Sequence, residues 1–312
     1  MTPFAFVFPG QGAQAVGMLD AFGDHPAVRE TLAEASAALG EDIAALIRNG
    51  PKEALDLTER TQPVMLTAGI ACYRAWLAET GRAPAAVAGH SLGEYSALVA
   101  AGVLTLADAL PLVRFRAQAM QQAVPVGAGA MAAILGLDAD AVVAGCAEAA
   151  MASGEVVAAA NFNDPKQIVI AGSKLGVERA VEVLKARGAK RAVLLAVSAP
   201  FHSSLMKPAA EALRTRLAGV TLAAPQIAVV TNIDAAVETE PAAIRDALYR
   251  QAYGPVRWVE VVRAIRTRGI RHIAECGPGK VLAGMLKRID AEIVGAAVHD
   301  PASLAETKAL FA

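Results

Sequence analysis

The segment Ala85-Ala86-Val87-Ala88-Gly89-His90-Ser91-Leu92-Gly93-Glu94 decides the fold. Its first four residues are apolar and predict a buried strand, and the small residues at 95–101 predict a helix that Gly102 ends. A G-x-S-x-G motif between a strand and a helix is typical of a sharp turn that exposes a serine, with the next N–H directed at an oxyanion. The alternative is a glycine-rich turn with a capping serine. In this context the segment favours an α/β protein with a nucleophilic Ser91.

The same alternation of strands and helices extends toward both ends of the chain. An apolar run at 4–8 ends at Pro9-Gly10, and strands are predicted again at 227–231 and 272–274. Between them the rhythm changes to βαββαβ, the ferredoxin-like order, with elements predicted at 131–135, 139–150, 156–160, 167–171, 175–186 and 191–197. We therefore expect a larger α/β-hydrolase-like domain with a parallel sheet, formed by 1–124 and 198–312, and an inserted subdomain at 125–197.

Composition excludes several classes of protein. The 312 residues carry 29 Lys and Arg against 30 Asp and Glu, a net charge of −1, so no basic field would draw the chain to nucleic acid or an anionic membrane. The hydrophobic fraction of 55% is too high for disorder. The 3 cysteines form no C-x-x-C pair, so we expect neither a disulfide framework nor a metal site. With no signal-peptide pattern at the N-terminus, the expected location is the cytoplasm.

A nucleophilic serine needs a base, and His202 is the best candidate among the 5 histidines. It follows Phe201 in the loop 198–204, directly after the predicted insertion, whereas the turn would aim His90 elsewhere. His272 lies in an apolar run, and the remaining two lie in polar stretches. No acidic residue stands out as a third member. A Ser-His pair oriented by a carbonyl and a full triad therefore both remain open.

The glycine-rich segment at 10–15 has two interpretations. Gly10-Gln11-Gly12-Ala13-Gln14-Ala15 matches G-x-G-x-x-A, but the acidic residue that would confirm a dinucleotide site is missing. Met18 and Leu19 stand where a Walker loop needs Lys and Ser or Thr. We prefer the interpretation that backbone N–H groups of this loop supply a second oxyanion donor opposite Leu92.

Several motifs together resemble the malonyl-CoA:acyl carrier protein transacylases of bacterial fatty acid synthesis. The resemblance covers essentially the whole chain, and the motifs occur in the family's order. They are Phe8-Pro9-Gly10-Gln11-Gly12, Gly89-His90-Ser91-Leu92-Gly93-Glu94, Arg116 within Val113-Arg114-Phe115-Arg116, Met120-Gln121, Phe201-His202 and Glu275-Cys276-Gly277-Pro278-Gly279-Lys280.

The resemblance implies a role for each matching residue. Ser91 would be acylated, with His202 as its base, and Arg116 would bind the malonyl carboxylate. The backbone N–H groups of Gln11 and Leu92 would form the oxyanion hole. A carbonyl at Gln251 would orient the histidine, and Leu92 and Phe201 are similar to the malonyl-selective pattern of the wider acyltransferase family.

These roles imply a ping-pong transfer of malonyl from malonyl-CoA to the phosphopantetheine thiol of acyl carrier protein. The expected partners are those two molecules, with no resident cofactor, no nucleic acid and no membrane, and the resemblance suggests a monomer. Three alternatives stay open: a serine hydrolase or thioesterase, an acyltransferase serving a polyketide synthase or malonate decarboxylase, and a non-catalytic carrier-binding module. The presence of Ser91, His202 and Arg116 together argues against the last.

Overall fold

The strand β1 (Phe4–Phe8) is buried at every position and lies inside a six-stranded sheet. Its neighbours are β2 (Ala86–Gly89) on one side and β9 (His272–Cys276) on the other, both parallel to it. Strands that are apolar on both faces need a cover on each side, which is the arrangement of a parallel sheet between helices. A computed structural model describes residues 2–312 of the chain.

The remaining strands and the helices complete the α/β alternation. The strands are β3 (Gly129–Leu135), β4 (Val157–Asp164), β5 (Gln167–Ser173), β6 (Arg191–Leu194), β7 (Ala228–Val230), β8 (Val237–Glu238) and β10 (Val294–Val298). The helices are α1 (Pro26–Leu39), α2 (Ile43–Asn49), α3 (Lys52–Leu55), α4 (Thr58–Thr80), α5 (Gly93–Ala100), α6 (Leu106–Gln122), α7 (Ala139–Ser153), α8 (Lys174–Ala186), α9 (Lys207–Ala218), α10 (Pro241–Gln251), α11 (Trp258–Thr267), α12 (Ala283–Ile289) and α13 (Pro301–Leu310).

Two sheets form, one from both ends of the chain and one from its middle. The six-stranded sheet has the order β10-β9-β1-β2-β7-β8, and only β8 runs antiparallel to its neighbour. The second sheet has the order β4-β5-β3-β6 and is antiparallel throughout. This is the ferredoxin-like order predicted from the sequence. The α/β fold class is confirmed, while the boundaries at 124/125 and 197/198 stay a prediction.

Backbone hydrogen bonds connect β4 of the small sheet to Val256, which belongs to the part of the chain that forms the large sheet. The backbone N–H of Val256 donates to the carbonyl of Ala160 at 2.8 Å, and that of Phe162 donates to the carbonyl of Val256 at 2.9 Å. An ion pair of 2.7 Å joins Arg288 to Asp164 at the end of the same strand. The small sheet is therefore held at the carboxyl end of the large one, where ligands bind in open α/β sheets.

Some element ends differ from the sequence prediction. The strand predicted at 191–197 ends at Leu194, because the next residues leave the sheet and line a cavity instead. The turn predicted at 163–165 begins later, since β4 continues to Asp164. The helix predicted from Val64 begins at Thr58 and contains Pro63 as its sixth residue, where the ring removes the usual N–H bond to the carbonyl of Glu59.

Candidate active site

The turn around Ser91 joins β2 to α5 and has the backbone of a nucleophile elbow. Ser91 adopts a left-handed conformation with φ of 52°, which is strained for a residue with a side chain. The neighbours must be glycine. A Cβ on Gly89 would lie 1.9 Å from the Gly93 backbone, and one on Gly93 would lie 2.1 Å from the carbonyl oxygen of Phe8. The turn therefore presents the Ser91 hydroxyl at the end of the strand.

The Ser91 hydroxyl contacts the imidazole of His202. Ser91 Oγ lies 2.7 Å from His202 Nε2, and His202 is 5% exposed. The other ring nitrogen, Nδ1, donates to the carbonyl oxygens of Gln251 at 3.0 Å and Gly254 at 3.1 Å. Because both partners of Nδ1 can only accept, the proton of the neutral ring lies on Nδ1 and Nε2 is free to accept. Two backbone carbonyls thus occupy the place of an acid in a triad.

The environment keeps His202 neutral. Burial lowers its pKa to about 3, and the positive charge of Arg116 and the nearby His90 act in the same direction. A neutral imidazole with an unprotonated Nε2 is the form that can take a proton from a hydroxyl.

Arg116, on α6, brings a buried cation to the nucleophile. Its guanidinium is 2% exposed and donates from Nη1 to Gln62 Oε1 at 2.8 Å and from Nη2 to Gln251 Oε1 at 3.0 Å. Nη2 also lies 3.3 Å from Ser91 Oγ. Burial lowers the pKa of Arg116, yet a guanidinium stays protonated in proteins. Within residues 2–312 it forms no ion pair, so its charge is available to an anionic ligand.

The two residues named as oxyanion donors line the same cavity as Ser91. Leu92 immediately precedes α5, and Gln11 lies in the loop that follows β1. Neither N–H donates a hydrogen bond to another group in residues 2–312, although the side chain of Gln11 donates to Thr58 at 3.2 Å. Unpaired N–H groups beside a nucleophile are the donors that an oxyanion requires.

A cavity of about 650 Å³ opens onto these groups. Its inner wall contains Ser91, His202, Arg116 and Phe201, and the small sheet contributes Met131 and Asn161. The segment 195–197, directly after β6, lines it too. A larger groove of about 910 Å³ lies between α1 and α2 and contains none of these residues. The smaller cavity is therefore the candidate site.

The structure brings together every site residue named from the sequence, and it adds others. His90 also lines this cavity, but its Nε2 contacts Asn163 Oδ1 at 2.8 Å rather than Ser91. Sequence reasoning missed Gln62, Gly254 and Asn232, whose side chain accepts from the backbone N–H of Ser91 at 2.7 Å and donates to Gly89 O at 2.5 Å. No local motif marks these three residues.

Sequence reasoning also missed the role of Glu94. Its carboxylate is fully buried beneath the turn, where Oε2 accepts from the N–H of Asn232 at 2.9 Å and from Gln251 Nε2 at 3.0 Å. Burial raises the pKa of Glu94 to about 7. A carboxylate among the small apolar residues of the predicted helix is the signal that could have revealed it.

Two kinds of feature are absent from residues 2–312. No helix there is both long and apolar enough to cross a membrane. No group of three or more His, Cys, Asp or Glu side chains in that range could hold a metal ion.

The chain is similar to known acyltransferases along almost its whole length. The family described as "Acyl transferase domain" matches residues 5–300. The malonyl CoA-acyl carrier protein transacylase of Escherichia coli strain K12 is 55% identical over 306 residues, covering 98% of each chain. The chain therefore belongs to the malonyl CoA-acyl carrier protein transacylases of the acyl transferase family.

Solved structures agree with this assignment. The acyl-carrier-protein S-malonyltransferase of Burkholderia pseudomallei 1710b has a TM-score of 0.96 and 65% identity, covering 98% of this chain and 100% of that one. A type II PKS acyl-carrier protein in complex with its malonyl-transacylase has a TM-score of 0.95 and 50% identity, covering 98% and 99%. The family expected from the sequence motifs is thus confirmed.

Proposed function

We propose that this protein transfers a malonyl group from malonyl-CoA to the phosphopantetheine thiol of an acyl carrier protein, through a malonyl ester on Ser91. The observation that carries the proposal is that Ser91 Oγ contacts both a base and a cation. Ser91 Oγ lies 2.7 Å from the free nitrogen of His202 and 3.3 Å from the guanidinium of Arg116. A nucleophile, a base and a carboxylate-binding cation are the groups that this reaction needs.

In the first half-reaction Ser91 Oγ attacks the thioester carbonyl while its proton passes to His202 Nε2. The carbonyl electrons move onto oxygen and then return as the C–S bond breaks. His202 gives the proton to the departing sulfur, so CoA leaves as a thiol and a malonyl ester remains on Ser91. The carbonyls of Gln251 and Gly254 stabilise the imidazolium that forms between these steps.

The N–H groups of Leu92 and Gln11 bind the oxygen that becomes negative during attack. They belong to the two loops that follow β2 and β1, adjacent strands of the sheet. Loss of one such donor costs about 10² to 10³ in rate in other enzymes. Because both donors are backbone groups, substitution of the side chain does not remove them.

Arg116 selects the donor by binding the free carboxylate of malonyl. A guanidinium can hold a carboxylate with two parallel hydrogen bonds. An acetyl group would leave the buried guanidinium without an anion. Phe201 lines the same cavity and limits the space beside the malonyl carbon, so it belongs to the specificity part of the proposal.

In the second half-reaction the phosphopantetheine thiol replaces CoA, and the same steps run in reverse. The kinetics are ping-pong, and the product supplies fatty acid synthesis. The reaction requires no resident cofactor, because both thiols arrive with the substrates. All the groups come from one chain, which supports action as a monomer. The proposed location is the cytoplasm, and the proposed partners include neither nucleic acid nor a membrane.

Intact-protein mass spectrometry tests this proposal directly. Mixing the protein with malonyl-CoA should add one malonyl group, which should move to phosphopantetheinylated carrier protein when that is added. If the adduct disappears without carrier protein as fast as it does with carrier protein, the protein is a hydrolase instead. Absence of any adduct with malonyl-CoA would overturn the proposed donor.

A further inference from the structure

Gln251 contacts both the base and the carboxylate-binding cation. It is the last residue of α10 and is fully buried. Its backbone carbonyl accepts from His202 Nδ1. Its side-chain Oε1 accepts from Arg116 Nη2 at 3.0 Å, and its Nε2 donates to the carbonyl of Ser91 at 2.9 Å and to Glu94 Oε2 at 3.0 Å. The side chain therefore makes contacts that are separate from those of the backbone.

Chemistry fixes the direction of this side-chain amide. A guanidinium only donates, and the Ser91 carbonyl only accepts. Glu94 Oε2 accepts as well, because it also receives the backbone N–H of Asn232 at 2.9 Å. A reversed amide would place NH₂ against the guanidinium and oxygen against two acceptors. Glu94 and Ser91 thus hold the amide with its oxygen toward Arg116.

Neutral groups hold the guanidinium in place. Gln62 accepts from Nη1 at 2.8 Å, and Gln251 accepts from Nη2. A carboxylate in either position would bind Arg116 more strongly, but it would also neutralise the charge that an anionic substrate needs. An amide oxygen fixes the position of the cation without forming an ion pair, and the Glu94 carboxylate acts on Arg116 from the other end of the Gln251 amide.

From this arrangement we infer that the side-chain amide of Gln251 is a positioning element for Arg116, and that Glu94 sets the direction in which that amide faces. The inference rests on the proposed function, in which Arg116 binds the malonyl carboxylate. It assigns to Gln251 a role in donor selection that is distinct from the backbone contact with His202.

Gln251→Met separates the two roles, because it removes the amide and keeps the backbone carbonyl. Single-turnover acylation of Ser91 should be measured by intact mass with malonyl-CoA and, separately, with acetyl-CoA. Loss of one charge-assisted hydrogen bond predicts that the malonyl rate falls about tenfold to a hundredfold and the acetyl rate less than about threefold. Gln122→Met, at an exposed glutamine near the end of α6, is the matched control.

A pair of substitutions at Glu94 tests the second part of the inference. Glu94→Gln can turn an amide oxygen toward Gln251 Nε2 and should keep the ratio of malonyl to acetyl acylation within about threefold of wild type. Glu94→Met offers no acceptor and should lower that ratio, as Gln251→Met does. A purely structural role of Glu94 would slow both donors equally. If Gln251→Met does not fold, the Glu94 pair decides.

Equal loss of malonyl and acetyl acylation in Gln251→Met would overturn the inference, as would an unchanged ratio in a folded variant. The proposed function is tested separately, by the wild-type protein alone. If wild type forms no malonyl adduct, the proposed function fails. If wild type forms the adduct and the variants keep its donor ratio, only the positioning role fails.

Discussion

Arg116 Nη2 donates to Ser91 Oγ at 3.3 Å, so the nucleophile and the carboxylate-binding cation touch before any substrate is present. The contact is long for a hydrogen bond, and Nε of Arg116 has no partner among residues 2–312. The guanidinium makes no ion pair within residues 2–312, and its Nη2 lies beside the nucleophile. An arriving carboxylate can accept from Nη2 while Nη1 stays bonded to Gln62.

We expect Arg116→Ala to lose malonyl acylation far more than acetyl acylation. A buried charge pair that loses one member costs roughly 2 to 5 kcal/mol, which corresponds to tens- to thousands-fold in rate. Acetyl has no carboxylate and should lose much less. Parallel assays with the two CoA esters give the comparison. Arg114→Ala, on the same helix and paired with Glu41, is the control, and equal losses for both donors in Arg116→Ala would refute the role.

Ser91→Ala should abolish the covalent adduct and leave the fold intact. His202 and Arg116 keep their contacts with Gln251, so removal of one hydroxyl leaves the network otherwise satisfied. Intact mass after mixing with malonyl-CoA checks the first part, and thermal unfolding checks the second. Ser204→Ala, at an exposed serine close to the site, should still form the adduct. A malonyl adduct on Ser91→Ala would contradict the assignment.

His202→Ala should slow acylation by about 10² to 10⁴, the usual contribution of a general base. The hydroxyl of Ser91 would then have to lose its proton to water. Rapid mixing with malonyl-CoA, followed by quenching and intact mass, gives the rate constant. His25→Ala, which loses contacts with Glu79 and Phe22 outside the cavity, serves for comparison. An unchanged rate would rule out His202 as the base.

The acylation rate at low malonyl-CoA should stay nearly constant from pH 8 to pH 5. Burial is the largest cause that lowers the pKa of His202 to about 3, and the nearby Arg116 and His90 lower it further. The base therefore remains unprotonated over this range. A histidine with an ordinary pKa near 6.5 would lose about thirtyfold by pH 5. The pH profile of the single-turnover rate distinguishes the two, and a decline that begins near pH 6.5 would contradict this environment for His202.

Glu275 should make the folded state less stable as the pH rises from about 4.5 to about 7. Burial raises its pKa to about 7, so in this window the folded protein holds a proton that the unfolded chain has lost. Its contribution is fully present below the unfolded pKa and disappears through the folded one. Between pH 5 and pH 8, wild type should lose about 2 to 3 kcal/mol more than Glu275→Gln.

Urea unfolding of wild type and Glu275→Gln at the two pH values measures this difference. The comparison cancels groups that both proteins share, including His202, whose lowered pKa acts in the opposite sense below pH 6.5. Parallel stability curves for the two proteins would show that Glu275 is ionised in the folded state throughout.

The sequence predicted the parts of the site that depend on local backbone geometry. Gly89 and Gly93 indicate the turn at Ser91, because no larger residue fits at either position. Pro9-Gly10 likewise ends β1 at the loop that contains Gln11. The βαββαβ rhythm predicted the small sheet, since alternation of strand and helix is visible without tertiary contacts.

The contacts that hold the base and the cation could not be predicted in this way. Gly254 and Asn232 reach the site only because distant segments meet at the end of the sheet. Glu94 stands among small apolar residues, but its partners Asn232 and Gln251 lie far away in the sequence. The end of β6 at Leu194 was missed for a related reason: residues 195–197 are apolar like a strand, yet they line the cavity. Residue type does not reveal which apolar surface a segment covers.

The cavity is built from two parts of the chain, which the hydrogen bonds between Val256 and β4 join. Ser91, His202, Arg116 and Gln251 all lie outside residues 129–194, whereas Met131 and Asn161 on the cavity wall lie within them. The proposed reacting groups and part of the cavity wall therefore belong to different stretches of chain. Mutations in the small sheet can therefore reshape that wall while Ser91, His202, Arg116 and Gln251 stay in place, so the shape of the cavity and its reacting groups can evolve separately.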